Sequence, residues 1–406
     1  MPAALSPFAS LRHRDFRLFF AGQTTSLIGT WMQAIAQGWL VLQLTDSAFA
    51  VGLVSAAGAL PVLLFSLPAG VIVDRADKHR IIMVCQALMC LDSLILTVLV
   101  ATQRVQPWHV GVLAAVVGCL SAIEIPARQS FIVELVGKED LTNAIALNSS
   151  AYNATRILGP ALAGILIAKA GLAVCFGLNT LSYVAVIVGL LAMNMPVWVA
   201  PAAAGDAVAR FREGIRFARG DRRVWALIVM TAVFGIFGFP FVVLLPVFAR
   251  DVLHVGAPGL GVMSAFIGVG AVLAALGLAA FSPRLRRGAL VRWSGPAFGL
   301  TVVLFGLARW YPLALLMLAL AGFTMVANNA ATNTMLQGIV PDALRGRVMS
   351  LWTFVFVGFA PLGSLQAGWL SEYIGAPRAV ALGGAISALA SLWIWWRYAP
   401  EVGEVR

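Results

Sequence analysis

Charge is scarce in this chain. Asp, Glu, Lys and Arg make up only 11% of its 406 residues, as 17 acids against 28 bases, and there are just 4 histidines and 4 cysteines. So little polar surface cannot coat a water-soluble fold of this length, and a mean hydropathy of +0.91 excludes one. Cys85, Cys90, Cys119 and Cys175 stand singly in apolar runs without metal-ligand spacing. They read as small buried hydrophobes, and neither a metal nor a cofactor is expected. Also missing are HExxH, GxSxG and any clustered His/Cys/carboxylate set, which argues against an enzyme, and the GxxxxGKS/T phosphate loop, which excludes a self-contained ATP-driven pump. The dyad alternation of an outer-membrane barrel is absent too, so segments that cross a membrane must be helices that satisfy their own backbone.

Apolar runs dominate what is present. A bilayer core about 30 Å thick takes roughly 20 apolar residues per helix, and the runs read as spans at 16–43, 49–73, 80–101, 108–130, 143–168, 172–195, 224–248, 258–281, 289–309, 312–337, 348–371 and 377–398. The expected fold is an all-α integral membrane protein of twelve transmembrane helices in two pseudo-symmetric six-helix bundles. The polar, basic start leads into an apolar run too long for a removable signal peptide. Loops after odd-numbered spans hold only Arg104, Lys169, Arg250, Arg309 and Arg378, so the positive-inside rule puts both termini in the cytoplasm. The net charge of +11 then reflects membrane orientation rather than binding to nucleic acid.

The one extended polar stretch divides the chain into an N-terminal bundle (1–195), a linker (196–223) and a C-terminal bundle (224–406). Within the linker, Val208, Phe211, Ile215 and Phe217 alternate with arginines, which suggests either an amphipathic helix on the anionic leaflet or a solvated connection. Shifting the chain by 204 residues superposes Ala127 on Ala331, Val136 on Val340, Leu147 on Leu351, Gly159 on Gly363, Ala163 on Ala367 and Gly164 on Gly368. Matches at turn and helix positions point to an internal duplication, the arrangement with which alternating-access carriers rock about a central site.

Gly70, Asp74, Arg75 and Arg80 fall in the turn after the second span, with Asp77, Lys78 and His79 among them. This loop resembles the Gly-x-x-x-Asp-Arg-x-Gly-Arg-Lys/Arg signature of the major facilitator superfamily, with Asp77 in place of the usual Gly. The resemblance implies a cytoplasmic latch of Gly70, Asp74, Arg75 and Arg80, for which Glu124 and Glu134 are candidate acidic partners. The corresponding loop at 283–288 keeps bases but no acid. Gly159-Pro160 with Ala163-Gly164 looks like the end of the superfamily's antiporter motif; close helix packing is the alternative for the same residues. Gly29-Thr-Trp31-Met-Gln33 and the 340–351 segment resemble the enterobactin-exporter-like branch, which exports siderophores and drugs.

Each charge deep in a span needs a partner, a wet cavity or a function. Asp92 and Arg156 lie at comparable depth and could form a buried pair, while Glu124 and Arg128 are spaced i,i+4 across Pro126. Asp92, Glu124 and Arg156 are therefore candidates for proton coupling. By resemblance, spans one, four, seven and ten line the cavity. This makes Gln23, Trp31, Gln33, Gln37, Arg128, Phe234, Phe237, Asn328, Asn329 and Asn333 the candidate pocket, suited to an amphipathic ligand. The resemblance implies a monomeric, proton-coupled exporter of small amphipathic molecules in the bacterial inner membrane, in contact with its lipids. A lysophospholipid translocator or an uptake carrier on the same fold is the alternative.

Overall fold

The computed structural model describes residues 8–137, 139–194, 207–281 and 287–402, and among them every regular element is helical. In chain order these are α1 (Arg14–Thr45), α2 (Ala48–Asp74), α3 (Lys78–Ala101), α4 (Pro107–Val136), α5 (Leu141–Ala170), α6 (Leu172–Leu191), α7 (Ala207–Gly220) and α8 (Arg222–Val233). There follow α9 (Leu245–Val247), α10 (Gly256–Phe281), α11 (Arg287–Leu307), α12 (Tyr311–Ile339), α13 (Asp342–Gly358), α14 (Ala360–Ile374) and α15 (Ala376–Val402). Among the described residues, ten helical tracts are long and apolar enough to cross a membrane. α1 and α5, at 32 and 30 residues, have the length but fall outside that set, because Gln23, Gln33 and Gln37 in one and Asn148, Asn153 and Arg156 in the other lower their hydropathy.

Two expected spans differ in detail. The tract expected at 224–248 runs over Arg222–Val252, and its middle is irregular: a π turn at Phe234–Gly238, a 3-10 turn at Phe239–Val242 and a second π turn at Phe248–Val252 flank α9. Pro240 and Pro246 supply no backbone N–H, so an uninterrupted ladder cannot pass through them. The tract expected at 348–371 runs over Asp342–Ile374 and breaks at Phe359, just ahead of Pro361.

Local chemistry sets the helix starts. The Ser47 side chain accepts from Ala50 N–H, that of Asp77 from Arg80 N–H, and that of Asp221 from Arg223 and Val224 N–H, each satisfying an orphan donor of a first turn. Burial pushes the Asp221 carboxyl upward, but the side-chain and backbone hydrogen bonds from Arg223 outweigh it and hold the group below the usual carboxylate range.

The two halves pack alike. α2 lies on α4 and α3 on α6, mirrored by α10 on α12 and α11 on α15. The 204-residue offset relates features of equal structural duty. Gly171 and Gly375 turn the chain between paired helices at φ 83° and 81°, a left-handed conformation that only glycine adopts freely. Across the seam, α5 crosses α10 where Gly164 meets Gly261, and α14 crosses α2 where Gly368 meets Gly52. A methyl on Gly164 would stand 2.9 Å from the Ala257 carbonyl oxygen, and one on Gly52 would stand 2.5 Å from that of Ser364. Backbones touch there, as small residues allow. Helix α7 docks on α13, through Glu213 with Arg347 Nη1 at 2.6 Å, Gly214 against the Arg347 carbonyl and Phe211 edge-on to Phe354. Residues 195–206 of the linker and 282–286 of the basic loop lie outside the described residues.

Candidate functional site

The seam between the halves is closed on one face and parted on the other. On the face that carries the turns at Asp46, Gly171, His254 and Gly375, the Gly52–Gly368 and Gly164–Gly261 crossings bring the halves into backbone contact. Toward the face that carries the termini, α4 and α13 part. A cleft of about 520 Å³ opens between Val62, Leu63 and Ser66 of α2, Ser121, Ile125 and Gln129 of α4, and Met349, Ser350, Thr353 and Phe354 of α13. Hydroxyl and amide groups dot an apolar wall, and none of its described lining residues is ionisable. Such a surface holds a ligand by its apolar body and orients it with a few hydrogen bonds.

Behind the α4 wall lies buried charge. Arg128 Nε is 3.0 Å from Glu124 Oε1, with the two side chains only 13% and 6% exposed, and Gln86 Nε2 donates to the same oxygen at 3.4 Å. The Nε–H is not aligned with its acceptor, so the attraction is Coulombic more than directional. Glu124 therefore has two partners, neither of them in the α2–α3 turn. Asp92 is 3% exposed, and neither carboxylate oxygen has a hydrogen-bond partner. The expected Asp92–Arg156 pair is not formed: Arg156 Cζ lies 6.0 Å from the Trp31 ring centroid, and Trp31 in turn meets Tyr152 edge-on. A cation near an aromatic face is attracted by the ring quadrupole.

The polar residues of α1 have divided roles. Gln33 Oε1 accepts from Asn179 Nδ2 at 2.6 Å and Ser93 Oγ at 3.0 Å, which ties α1 to α3 and α6. Gln33 is thus an internal brace of the N-terminal half and not a wall residue. Gln23 is buried with Oε1 unsatisfied, and Gln37 is half-buried. In the other half Asn328 accepts from Ser294 Oγ at 3.2 Å, Asn333 accepts from Gln337 at 2.6 Å, and Asn329 is half-buried. Phe234 is fully buried against Phe239 and Phe298, whereas Phe237 keeps part of its surface. None of these residues lines the cleft. It is lined by α2, α4 and α13, whose small hydroxylic residues carry no distinctive sequence signal.

The latch residues are also rearranged. Lys78, not Arg75, pairs with Glu134, Nζ to Oε1 at 2.5 Å, because Lys78 opens α3 directly across from the last turns of α4. Arg80 reaches back to Asp77 at 3.2 Å, and Arg75 is exposed. The Asp74 side chain lies outside the described residues. At Gly70 a methyl would meet nothing within 4 Å, so no close helix approach depends on that glycine. Gly159 packs on Trp31 and the Ile28 carbonyl of α1, and Pro160 and Gly164 pack on α10.

A duplicated helical bundle with a cleft between its halves on one side and a sealed seam on the other is the build of a major facilitator transporter. The chain belongs to the transmembrane secretion effector family, whose model matches residues 5–404. It is 25% identical to the staphyloferrin A transporter of Staphylococcus aureus, over 91% of this chain and 92% of that one. To the multidrug efflux pump Tap of Mycolicibacterium fortuitum it is 28% identical over 88% and 89%, and to the enterobactin exporter EntS of Shigella flexneri 25% over 87% and 86%. The fold matches that of the nucleoside transporter NupG with a TM-score of 0.76 at 12% identity, covering 95% of this chain and 99% of that one. The protein is a multi-pass membrane transporter of small molecules and not an enzyme.

Proposed function

We propose that the protein is a secondary active exporter that moves small amphipathic organic molecules out of the bacterial cell by alternating access, in exchange for protons. In this reading α1 and α5 join the ten apolar tracts to make twelve spans in two six-helix bundles, with the terminal face in the cytoplasm of a monomer in the inner membrane. The observation that carries it is the asymmetric seam: a closed far face and a parted terminal face describe one of the two states that an exporter alternates between. Relatives whose names specify siderophore and multidrug export favour outward movement. The apolar, hydroxyl-dotted cleft favours an amphipathic cargo.

Internal duplication supports the choice of coupling residues. Glu124 and Arg128 occupy the positions that Asn328 and Thr332 hold in the second half, both buried and neutral. Neutral counterparts there support reading the acid and base of α4 as additions that serve transport. Asp92, with no counter-charge, is the second carboxylate at which a proton can be bound and released. Asp74 and Arg75 are assigned to the latch on the cytoplasmic side. The test compares cells with and without the protein by untargeted mass spectrometry of retained compounds. Amphipathic molecules should be depleted by the wild type and retained by Thr353→Trp, which fills the cleft. Equal retention in all three would reject the export reading.

A further inference from the structure

On the sealed face, the turn that joins α1 to α2 is gripped from two sides by the other half of the molecule. Arg250 Nη1 donates to the Leu42 carbonyl oxygen at 2.9 Å and to Asp46 Oδ1 at 2.7 Å. Leu42 belongs to the last turn of α1, where the helix dipole is negative, and its carbonyl oxygen also accepts from Asp46 N–H at 3.0 Å, so the guanidinium is a second donor on that oxygen. Asp251 holds the same guanidinium in place, Oδ1 accepting from Nε at 2.7 Å and Oδ2 from Nη2 at 3.2 Å. Two residues beyond the turn, Glu372 Oε2 accepts from Phe49 N–H and from Ser47 Oγ, both at 3.2 Å. These groups belong to the start of α2, where amides are orphaned and the dipole is positive. A cation from the second half thus caps the end of α1, and an anion from the second half caps the beginning of α2.

Asp46 and Arg250 are 204 residues apart, the offset of the internal duplication, so each holds the other's place in its own half. Two dyad-related positions that touch must lie on the dyad. The contact therefore marks the middle of the face that has to part if the cleft is to open outward. We infer that Arg250 and Glu372 are the gating residues of this face, a clasp that holds the seam shut by capping the two helix ends of the other half. The inference rests on the alternating-access reading above. Asp46 is 82% exposed, so its ion pair contributes little alone, and the two caps carry the closure.

The test places a single reporter in the seam. Ser55 Oγ lies 3.3 Å from Ser364 Oγ across the α2–α14 crossing. In a background freed of the four native cysteines, Ser55→Cys is labelled with a membrane-impermeant maleimide added to right-side-out or to everted vesicles. Arg250→Gln and Glu372→Ala should each raise labelling in right-side-out vesicles about fivefold to tenfold, within the range of ordinary conformational couplings, and Asp46→Asn less than about twofold. Glu372→Gln retains an oxygen able to accept from Phe49 N–H and should stay near the wild-type rate, so a folding defect in Glu372→Ala is recognised. Unchanged labelling in both cap variants, in a protein that still exports, overturns the clasp and leaves the transport reading standing. Labelling that rises as expected in a protein that moves no cargo sustains the clasp and overturns the transport reading.

Discussion

A single methyl group at the crossing of α5 and α10 should tilt the balance between the two faces. In Gly164→Ala the new carbon would stand 2.9 Å from the Ala257 carbonyl oxygen, 3.0 Å from Gly261 Cα and 3.1 Å from the Pro258 carbonyl oxygen. All three are backbone atoms, so nothing can swing aside as a flexible side chain would. Overpacking of this kind costs about 1–3 kcal/mol. Alanine's better helix propensity is gained in both conformations and cancels from the comparison. The cost falls only on the state in which the far face is closed, and the ratio of open to closed should rise by about 5- to 150-fold. Spin labels at Trp108→Cys and Trp310→Cys, exposed positions in the turns of that face in opposite halves, report the separation by double electron–electron resonance in nanodiscs. A longer distance should gain population in Gly164→Ala and in Gly368→Ala, whose methyl would lie 3.0 Å from the Ala48 carbonyl oxygen. Gly70→Ala, which meets nothing within 4 Å, should leave the distribution unchanged. An unaltered distribution in folded Gly164→Ala, or a shift of equal size in Gly70→Ala, would mean that backbone contact at this crossing does not hold the far face shut.

Two further outcomes follow from the buried charges. Glu124→Gln leaves the Arg128 guanidinium buried without its counter-ion and should lower stability by about 3–5 kcal/mol, and adding Arg128→Gln should recover most of that loss; thermal unfolding in detergent decides it, and a single variant as stable as the double would contradict the pairing. Asp92→Asn removes no hydrogen bond, since both carboxylate oxygens lack a partner, so the melting temperature should hold while gradient-driven transport is lost. Retained transport in Asp92→Asn would remove that residue from the coupling path.

Much of the architecture was legible because membrane segments announce themselves by composition, and because duplicated turns recur at a fixed offset. Gly159 and Gly363, matched by that offset, pack against α1 and against the Gly235–Ile236 backbone that replaces it in the second half. Contacts set by rotamer and conformational state were not legible. Spacing allowed Asp92 and Arg156 to meet, but Trp31 lies beside the arginine. The resemblance made Gln33 a cavity residue, but Asn179 and Ser93 claim its oxygen. The cleft exists only where α4 and α13 part, and no periodicity encodes that separation. The clasp did leave a trace, since an acid and a base occupy equivalent positions at Asp46 and Arg250. That trace acquires meaning only when the fold brings the two positions onto one axis.

If an organic cargo leaves in exchange for protons, purified protein in liposomes will show it. With an inward-directed proton gradient imposed across the cytoplasmic-side-in orientation, a compound identified as depleted from expressing cells should move out against its own gradient, and collapse of the proton gradient should abolish that movement. Movement that continues at the same rate after collapse would mean that protons do not drive export.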